Sequence, residues 1–496
     1  YFLAGVSWVR VSLNEFGGMP LPLAWFSAFL FCAILALYPT LACAFTAWAK
    51  PRSPVFFAFV FASAWTFAEY LRAHLFTGFE WLSVGVVFAG GGAGSGITRG
   101  LAPVLGVFGA SWATLFLSAV VAASLMRGAL TLSRATRYVL PIGIAVCGFA
   151  LSSMAVLEFS NPNGAPLRVS LLQGNVPQSM KWEPEKFVQT LQLYEKLVSQ
   201  AKGELIILPE TALPAPLSRI PPEYIEKLRG IAFSKNANLL IGVPVEEGGK
   251  YYNAAVSMGV DDAQQYRKVH LVPFGEYMPL RGPLAWFYAN LIIPMSDFLP
   301  GDAMQAPIKV NGQTLGVSIC YEDAFARDVL RTMPDATLLV NISNDAWFGK
   351  SAAAEQHLQL AQMRAIETGR PMLRANNTGI TALIDDKGRV TQRLAELYRQ
   401  QGDPARAVTL YRDILKLEPT LEDVARSLYR CYQDVGDRGA LVREHRRLRD
   451  ALRQMLGASD DPDDDPELYE PESETVAAYE DALAAIEARS AAGRTA

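Results

Sequence analysis

The first 157 residues contain four apolar stretches long enough to cross a lipid bilayer, and no other feature limits the fold of this chain as strongly. A bilayer core of about 30 Å requires roughly 20 helical residues. The four stretches are residues 21–49, 55–71, 101–126 and 138–157. The chain opens without a methionine on an apolar segment, so residues 1–13 read as the remnant of another span. We therefore predict an N-terminally truncated transmembrane helical domain over residues 1–157, followed by soluble domains.

The basic residues of the connecting loops predict the orientation of these spans. Lys50 and Arg52 follow the first span, and Arg127, Arg134 and Arg137 lie in the loop two crossings later. The positive-inside rule places both loops in the cytoplasm. Counting crossings then puts the chain after the last span on the opposite face, which is the periplasm in a Gram-negative bacterium.

One acidic residue, Glu69, lies near the outer end of the second predicted span. An acidic group inside a membrane is costly and is usually functional. Next to Arg72, an interfacial glutamate can equally be a solvated group. The sequence leaves these two interpretations open.

The composition narrows the possible functions. Of the 496 residues, 51% are hydrophobic, and the formal net charge is only −4. Because no basic stripe is present, the sequence does not predict nucleic-acid binding. The four histidines and five cysteines lack the spacing of a metal site or a disulfide framework, so we expect neither a metal nor another cofactor.

Residues 167–390 show a different pattern, in which short β-branched runs alternate with amphipathic stretches. The predicted strands are residues 168–173, 204–208, 238–243, 252–259, 265–272, 313–319, 338–342, 372–375 and 379–384. The predicted helices are residues 185–202, 222–235 and 352–369. This alternation favours an α/β fold in which helices cover the faces of sheets.

Three polar residues, Glu210, Lys268 and Cys320, lie at or near the ends of such strands. A carboxylate can remove the proton of a thiol as the thiol attacks. A nearby ammonium group favours the thiolate and stabilises the oxyanion of a tetrahedral intermediate. Such a set suits acyl transfer through a thioester. Taken singly, Glu210 also reads as a neighbour of a helix N-cap, Lys268 as a surface residue and Cys320 as a structural cysteine.

The segments around these residues resemble the motifs of known families. Those that resemble the Glu-Lys-Cys motifs of the nitrilase superfamily are residues 208–210, 267–276 and 318–322. Those that resemble, more narrowly, the apolipoprotein N-acyltransferase family are QGNVPQ at 173–178, NISNDAWFG at 341–349, and EYLR with TGFEW within 69–81. The resemblance covers roughly residues 1–390.

The resemblance implies a multi-domain protein in which a transmembrane α-helical bundle carries an α-β-β-α nitrilase-like sandwich. In the implied ping-pong reaction, Cys320 takes the sn-1 acyl chain of a phospholipid as a thioester. The chain then passes to the α-amino group of the diacylglyceryl-cysteine of an apolipoprotein. By motif position, Glu210 is the general base, and Lys268 stabilises the oxyanion and the thiolate. The implied location is the bacterial inner membrane, with the catalytic domain in the periplasm.

The resemblance also assigns roles to seven other residues. Glu276, Tyr321 and Glu322 are expected to support the three central groups or to position the substrate. The aromatic residues expected to contact acyl chains or lipid are Trp81, Trp182, Trp347 and Phe348. For these aromatic residues, ordinary core packing is the alternative.

Residues 283–294 form an apolar, aromatic stretch within a domain that should face water. An exposed patch of this kind marks contact with a membrane or a substrate. We predict a loop that dips into the bilayer surface and covers the site. A buried amphipathic helix is the alternative.

Beyond residue 390 the sequence departs from the family, for which closing strands and a last transmembrane helix are expected. Instead, three residues recur after 34 positions, and these pairs are Tyr398 and Tyr432, Gly402 and Gly436, and Asp403 and Asp437. This is the period of tetratricopeptide repeats. The segment also resembles the helical domain of some bacterial transcriptional activators.

These patterns predict the remaining domains. A nitrilase-like catalytic domain occupies residues 158–391, without its final strands. Tetratricopeptide-like helices occupy residues 392–457, and an acidic linker with a short helix occupies residues 458–496. The repeats are expected to bind a protein partner that the sequence does not identify. The alternative is a fusion that has no bearing on catalysis.

Two other functions are compatible with the sequence. A membrane-tethered nitrilase-type C–N hydrolase would use the same three residues on a small amide or nitrile, in a water-filled pocket. A non-catalytic scaffold would bind through the C-terminal repeats. Convergence of the side chains at positions 210, 268 and 320 in one pocket is the observation that bears most directly on the enzymatic interpretations.

Overall fold

The structure is a computed structural model that describes residues 1–51, 53–91, 95–125, 134–161, 166–178, 184–279, 297–349, 351–390, 404–417, 422–456, 471 and 473–492. The chain divides into two compact units, Tyr1–Val390 and Thr391–Ala496. We describe each unit by itself.

The N-terminal part of the first unit is helical. Its helices are α1 (Phe2–Val6), α2 (Val9–Val11), α3 (Leu21–Ala49), α4 (Pro54–His74), α5 (Ser95–Leu125) and α6 (Arg134–Ser153). Among the described residues, three segments are long and apolar enough to cross a membrane, and these are Leu21–Ala49, Pro54–His74 and Ser95–Ala123. Helix α6 covers most of the fourth predicted stretch.

Residues 1–13, which the sequence predicts as the remnant of a span, are helical but interrupted. They fold into the two short helices α1 and α2 and a π-helical turn, Ser12–Phe16. The indole of Trp8 donates a hydrogen bond to Gln356 at 3.0 Å, and the Ser12 hydroxyl donates to the Trp347 carbonyl at 2.7 Å. These polar contacts with the α/β domain explain why the segment is not one continuous apolar helix.

Helix α5 is interrupted at Gly106, where φ is 66° and ψ is −172°. Glycine reaches such positive φ values readily because it has no Cβ. The break frees backbone groups that would otherwise bond within the helix. The Val107 amide donates to the carboxylate of Glu367, at 2.6 Å. A side chain of the α/β domain thereby satisfies a backbone group in a membrane helix.

The α/β domain contains two five-stranded sheets. The first sheet has the order β1 (Val169–Leu171), β2 (Leu205–Ile207), β3 (Asn238–Glu247), β4 (Lys250–Gly259) and β5 (Gln264–Arg267). The second sheet consists of β6 (Ile308–Val310), β7 (Gln313–Ile319), β8 (Leu338–Ser343), β9 (Met372–Asn376) and β10 (Ala382–Ile384), in the order β10-β9-β8-β7-β6. In each sheet three neighbouring strands are parallel, and the other pairs are antiparallel.

The two sheets pack face to face, and helices cover their outer faces. Leu205 and Ile207 of the first sheet share a buried cluster with Val317, Val340 and other residues of the second sheet. Helices α7 (Pro184–Gln200) and α8 (Pro222–Ser234) pack on the first sheet. The short helix α9 (Ala326–Val329) and the longer α10 (Ala353–Thr368) pack on the second sheet. The predicted α-β-β-α sandwich is confirmed.

Two local predictions differ from the structure. Strand β5 ends at Arg267, so Lys268 follows the strand and does not lie within it. Strand β6, Ile308–Val310, is not among the predicted strands. In the structure it pairs with β7 and forms one edge of the second sheet.

The second unit consists of helices. They are α11 (Pro404–Leu417), α12 (Glu422–Val435), α13 (Arg438–Leu456) and α14 (Ser473–Ala492). Their apolar faces share one core that includes Tyr411, Leu428 and Leu441. The residues Tyr398, Gly402 and Asp403 of the 34-residue period lie outside the described residues, as does the apolar stretch 283–294.

Candidate active site

Cys320 comes directly after strand β7 and has an uncommon backbone conformation. Its φ is +55°, in the left-handed region. For a residue other than glycine this costs about 1–2 kcal/mol, so the surrounding structure must enforce it. The Asn341 side chain donates a hydrogen bond to the Cys320 carbonyl at 2.9 Å. The chain then enters the 3₁₀ turn Cys320–Ala324, which leaves the thiol at the strand end with only 7% of the residue exposed.

Glu210 and Lys268 are brought together from different strands of the first sheet. Glu210 lies beyond the end of β2, and Lys268 lies immediately after β5. The Lys268 Nζ atom lies 3.6 Å from Glu210 Oε1 and donates a hydrogen bond to Glu276 Oε1 at 3.0 Å. Lys268 is 1% exposed and Glu210 is 7% exposed. The structure therefore holds one ammonium group between two carboxylates, out of contact with bulk water.

Asn253, a residue that the sequence analysis missed, organises these carboxylates. Its side-chain amide donates to Glu210 Oε1 and to Glu276 Oε1, both at 2.8 Å. Its backbone carbonyl accepts from the Lys268 amide at 2.8 Å. The signal in the sequence was an asparagine within the long buried run of β4, since buried polar groups need partners.

The charges of this site act on the thiol. Burial raises the pKa of the Cys320 thiol well above its usual value; the Glu210 carboxylate raises it further, and the Lys268 ammonium lowers it. Burial by itself lowers the pKa of Lys268, but Glu276, Cys320 and Glu210 raise it, and the net shift is upward. At neutral pH the lysine is therefore charged and the thiol is protonated. Chemistry at this sulfur requires a base during the attack.

Glu322 connects Cys320 with the segment that carries Lys268. Its carboxylate accepts from the amide of Ile319 at 2.8 Å and from the amides of Val269 and His270 at 2.7 and 2.9 Å. Burial raises the pKa of Glu322 to about 7, against the lowering effects of Lys268 and these amides. The two sheet ends are thus joined through one buried carboxyl group.

Tyr321 and Glu276 also lie at the site. The Tyr321 hydroxyl donates to the Leu271 carbonyl at 2.7 Å, and its ring centre lies 5.5 Å from Lys268 Nζ. Glu276 accepts from the Val272 amide at 2.8 Å. All six residues expected to act in or around the centre therefore lie within one connected group. Their roles stay predictions.

Of the aromatic residues expected to contact lipid, Trp81 and Phe348 share a hydrophobic cluster with Tyr321. Trp81 is 2% exposed, and its ring packs near those of Trp8 and His357 at 5.9 and 5.8 Å. Phe348 packs against Trp8 at 4.6 Å, and Trp347 packs against Phe16 at 5.3 Å. These contacts correspond to the core-packing alternative. Trp182 lies outside the described residues.

Glu69 is buried, so its interpretation as a solvated interfacial group is wrong. It is 4% exposed, and its carboxylate accepts from the Ser111 hydroxyl at 2.6 Å and from the Val84 amide at 3.0 Å. The neighbouring Arg72 donates to the Phe79 carbonyl at 2.9 Å. Glu69 therefore joins α4 to α5 and to the loop between them.

A second buried group of charges lies behind Cys320. Both ring nitrogens of His357 contact carboxylates at 2.8 Å, Nδ1 that of Asp345 and Nε2 that of Asp323. Arg374 donates to Asp323 at 2.9 Å and to Asp345 at 3.2 Å. All four residues are buried. Sequence reasoning missed this group because its members come from four separate segments.

The charge of His357 predicts a dependence of stability on pH. Burial and Arg374 lower the pKa of His357, whereas Asp323 and Asp345 raise it, and the result is a pKa of about 9. Because the folded pKa lies above the ordinary value of about 6.5, the stabilisation is fully present below pH 6.5 and is lost as the pH rises through about 9. The residue also faces the Trp81 ring, which carries no charge.

We expect His357→Gln to lower the midpoint of thermal unfolding strongly at pH 6 and much less at pH 9.5. The protein would be kept in one detergent and compared with the unsubstituted chain at both pH values. An equal difference in midpoint at the two pH values would contradict protonation of His357 in the folded state.

Among the described residues, no group of three or more His, Cys, Asp or Glu side chains is arranged to hold a metal ion.

The chain matches three family models. The carbon-nitrogen hydrolase model matches residues 168–402, and the apolipoprotein N-acyltransferase N-terminal domain model matches residues 1–120. The bacterial transcriptional activator domain model matches residues 351–466 and so overlaps the first match.

Proteins similar to this chain have names that agree with these family models. The apolipoprotein N-acyltransferase of Nitrosomonas europaea is 44% identical over 396 residues, which cover 79% of this chain and 77% of that protein. The one from Methylococcus capsulatus is 43% identical over 396 residues, with coverages of 78% and 76%. A CN-hydrolase superfamily protein of known structure from Xanthomonas campestris is 20% identical, with a TM-score of 0.35 and coverages of 46% and 86%.

Proposed function

The chain belongs to the apolipoprotein N-acyltransferase family, and from this membership we propose that it transfers a phospholipid acyl chain, through a thioester on Cys320, to the α-amino group of an apolipoprotein. The family resemblance found in the motifs is confirmed by these relatives. So are the acyltransferase class and the role in lipoprotein N-acylation that the motifs implied. The donor, the acceptor and the residue roles below are our proposals.

One observation carries the proposed chemistry. The buried Cys320 lies near a carboxylate and an ammonium group, Glu210 and Lys268, which are 3.6 Å apart. The carboxylate raises the pKa of the thiol and the ammonium group lowers it, and with burial the net shift is upward. A resting thiolate would not need a base, but a protonated thiol does. We assign the role of this base to Glu210. Its carboxylate lies 3.6 Å from the Lys268 ammonium group, which would stabilise the negative charge that develops on the carbonyl oxygen.

In the first half-reaction, the Cys320 sulfur attacks the carbonyl carbon of the sn-1 ester while Glu210 takes the thiol proton. The carbonyl oxygen becomes an oxyanion, which the Lys268 ammonium stabilises. Collapse of the intermediate breaks the ester bond to the glycerol oxygen. Glu210 returns the proton to that oxygen, so lysophospholipid leaves and the acyl chain stays on sulfur as a thioester.

In the second half-reaction, the neutral α-amino group of the diacylglyceryl-cysteine attacks the thioester carbonyl. Glu210 takes a proton from the nitrogen, and Lys268 again stabilises the oxyanion. The carbon–sulfur bond then breaks, and the proton returns to the Cys320 sulfur. The products are an amide on the apolipoprotein and the original enzyme, as a two-step exchange on one nucleophile requires.

We also propose that the catalytic domain faces the periplasm from the inner membrane. The support comes from the basic residues in the predicted cytoplasmic loops, Lys50 among them. It also comes from the three helices that are long and apolar enough to cross a bilayer. The acyl donor of this reaction would then come from the lipids that surround the protein.

The test is a two-stage transfer with the purified full chain in detergent. The chain first receives a phospholipid that is labelled in its sn-1 acyl group, and we expect the mass of one acyl chain to appear on the peptide that contains Cys320. A synthetic diacylglyceryl-cysteine peptide with a free α-amino group is then added. We expect the label to leave the protein and to appear as an amide on the peptide.

Two other results would contradict the proposal. Hydrolysis of a small amide without a lipid-derived adduct would favour the membrane-tethered C–N hydrolase. Folded protein without any modification would favour the scaffold that binds through its C-terminal repeats. A peptide whose α-amino group is acetylated serves as the control acceptor, because it cannot form the amide.

A further inference from the structure

We propose that Asp323, Asp345, His357 and Arg374 form a positioning cluster that holds Cys320 in its left-handed conformation for attack. None of these residues contacts the reacting atoms in the proposed chemistry. The inference rests on the proposed role of Cys320 as acyl acceptor. It adds a second set of residues, separate from Glu210 and Lys268, on which the reaction depends.

The cluster is a closed ring of charged contacts. His357 contacts Asp323 and Asp345 at 2.8 Å each, and Arg374 contacts the same two carboxylates at 2.9 and 3.2 Å. With His357 protonated, two positive and two negative groups face one another, and the cluster is neutral. Every carboxylate has two cationic partners, which is the condition under which buried charges are tolerated.

Four structural elements meet in the ring, and each contributes one residue. Asp323 lies in the turn that begins at Cys320, and Asp345 follows strand β8. His357 belongs to helix α10, and Arg374 belongs to strand β9. The ring therefore fixes the nucleophile turn against a helix and two neighbouring strand segments. A change in any one member displaces the turn relative to the sheet.

A hydrogen-bonded path leads from the ring to the backbone of Cys320. Arg374 donates to the Asn341 side-chain oxygen at 2.9 Å. The Asn341 side-chain nitrogen donates to the Cys320 carbonyl at 2.9 Å and to the Ser318 hydroxyl at 3.1 Å. Arg374 thus sets which way the Asn341 amide points, and the amide restrains the peptide group that follows the sulfur-bearing residue.

Asp323 provides the second path, through the chain itself. It lies three residues after Cys320 in the same 3₁₀ turn, and both of its oxygens are bonded, one to His357 and one to Arg374. A backbone in the left-handed region persists only where its surroundings over-determine it. Here the turn is restrained at its first carbonyl by Asn341 and at its fourth residue by the ring.

A second buried ion group supplies a matched control. Arg364 lies seven residues after His357 on the same helix, is equally buried, and pairs with Glu367 at 3.1 Å and with Glu80 at 3.6 Å. In the described part of the chain its ion pairs are with Glu80 and Glu367, and none is with the turn Cys320–Ala324. Loss of either cation leaves buried carboxylates with fewer partners, but only loss of His357 affects the path to Cys320.

The experiment compares His357→Gln with Arg364→Gln in the full chain. Acylation of Cys320 by labelled phospholipid would be followed in single turnovers over a range of lipid concentrations, and the rate would be normalised to the folded fraction. We expect His357→Gln to lower the maximal rate of acylation at least 10-fold, with the half-saturating lipid concentration unchanged. We expect Arg364→Gln to lower the unfolding midpoint comparably, with the maximal rate within about twofold of the unsubstituted chain.

If His357→Gln does not fold, the variant Arg374→Lys tests the positioning role instead. Lysine keeps the positive charge but lacks the planar fork that bonds Asn341 and both aspartates together. We expect this variant to fold and to acylate at least 10-fold more slowly. Wild-type rates in either folded variant, or an equal loss of rate in Arg364→Gln, would overturn the positioning role.

A second readout separates this inference from the proposed function. The rate at which iodoacetamide alkylates Cys320 reports the placement of the sulfur whether or not acyl transfer occurs. If the unsubstituted chain forms no acyl adduct, the proposed function fails. If it forms the adduct, but His357→Gln acylates and alkylates at unchanged rates, the positioning cluster fails and the proposed function stands.

Discussion

A Cys320→Ala variant is expected to form no acyl adduct and to transfer no acyl chain to the acceptor peptide. Removing the nucleophile of a two-step mechanism costs at least about 10⁴-fold in rate. Alanine leaves the proposed base and oxyanion donor in place but removes the atom on which the thioester forms. Intact-mass measurement after incubation with labelled phospholipid should show only the mass of the unmodified chain.

Cys431→Ala is the matched control for this prediction. Cys431 is also a buried cysteine, but it lies in the core of the second unit. Its replacement should leave the adduct on the peptide that contains Cys320. An adduct that persists in Cys320→Ala, or that disappears in Cys431→Ala, would place the nucleophile elsewhere. Cys320→Ser should show whether the oxygen nucleophile supports slow acylation at the same position.

The substitution Lys268→Met is expected to reduce both activity and stability. Methionine fills a similar volume but removes the ammonium group between Glu210 and Glu276, which leaves two carboxylates held by Asn253 without a counter-charge. Removing one partner of a buried ion pair destabilises a protein by about 3–5 kcal/mol. Loss of an oxyanion donor lowers the rate by at least about 10²-fold. Single-turnover acylation and thermal unfolding in detergent measure the two effects separately.

Lys309→Met is the corresponding control, because Lys309 is exposed on the edge strand β6. Its stability should change by less than about 0.5 kcal/mol, as is usual for surface substitutions. Lys268→Arg distinguishes charge from placement, since it keeps the charge with a different donor geometry. A folded Lys268→Met variant that acylates at a near-normal rate would remove the proposed role of this residue.

The strands of the sandwich could be predicted from the sequence because most of them are apolar runs bounded by polar residues. Strand β7 is a buried run between polar residues, and its predicted bounds, 313–319, are those of the structure. Strand β8, predicted as 338–342, extends by one residue. Periodic burial requires a periodic sequence, so long elements are visible without tertiary information. Strand β6 was not predicted, although β1, β2 and β10, which are equally short, were.

The candidate site residues that lie after strand ends could be predicted from the sequence. Cys320 comes directly after a buried strand and Glu210 lies three residues beyond the end of another, where polar residues in loops are commonly functional. Asn253 lies inside a strand, and nothing in its local sequence shows that its amide joins two carboxylates. The second unit illustrates the same limit, since its 34-residue period predicts helices but does not identify what they bind.

The pairing of the four charged residues in the positioning cluster could not be predicted from the sequence. Asp323, Asp345, His357 and Arg374 are spread over 52 positions and share no motif or spacing. Each is an ordinary polar residue until the fold removes it from water, and only then must it find a partner of opposite charge. The cost of burial, which selects these pairings, exists only in the folded chain.

The sequence by itself determined the apolar helices and the alternation of the sandwich, and it predicted three candidate reactive groups, because hydrophobic period and side-chain chemistry are properties of the linear chain. Only the tertiary structure decided that the ammonium lies between two carboxylates, that burial raises the pKa of the Cys320 thiol, and that His357 and Arg374 pair with the same two aspartates. The physical reason is that distance and burial set the strength of an electrostatic interaction, and neither is a property of sequence order.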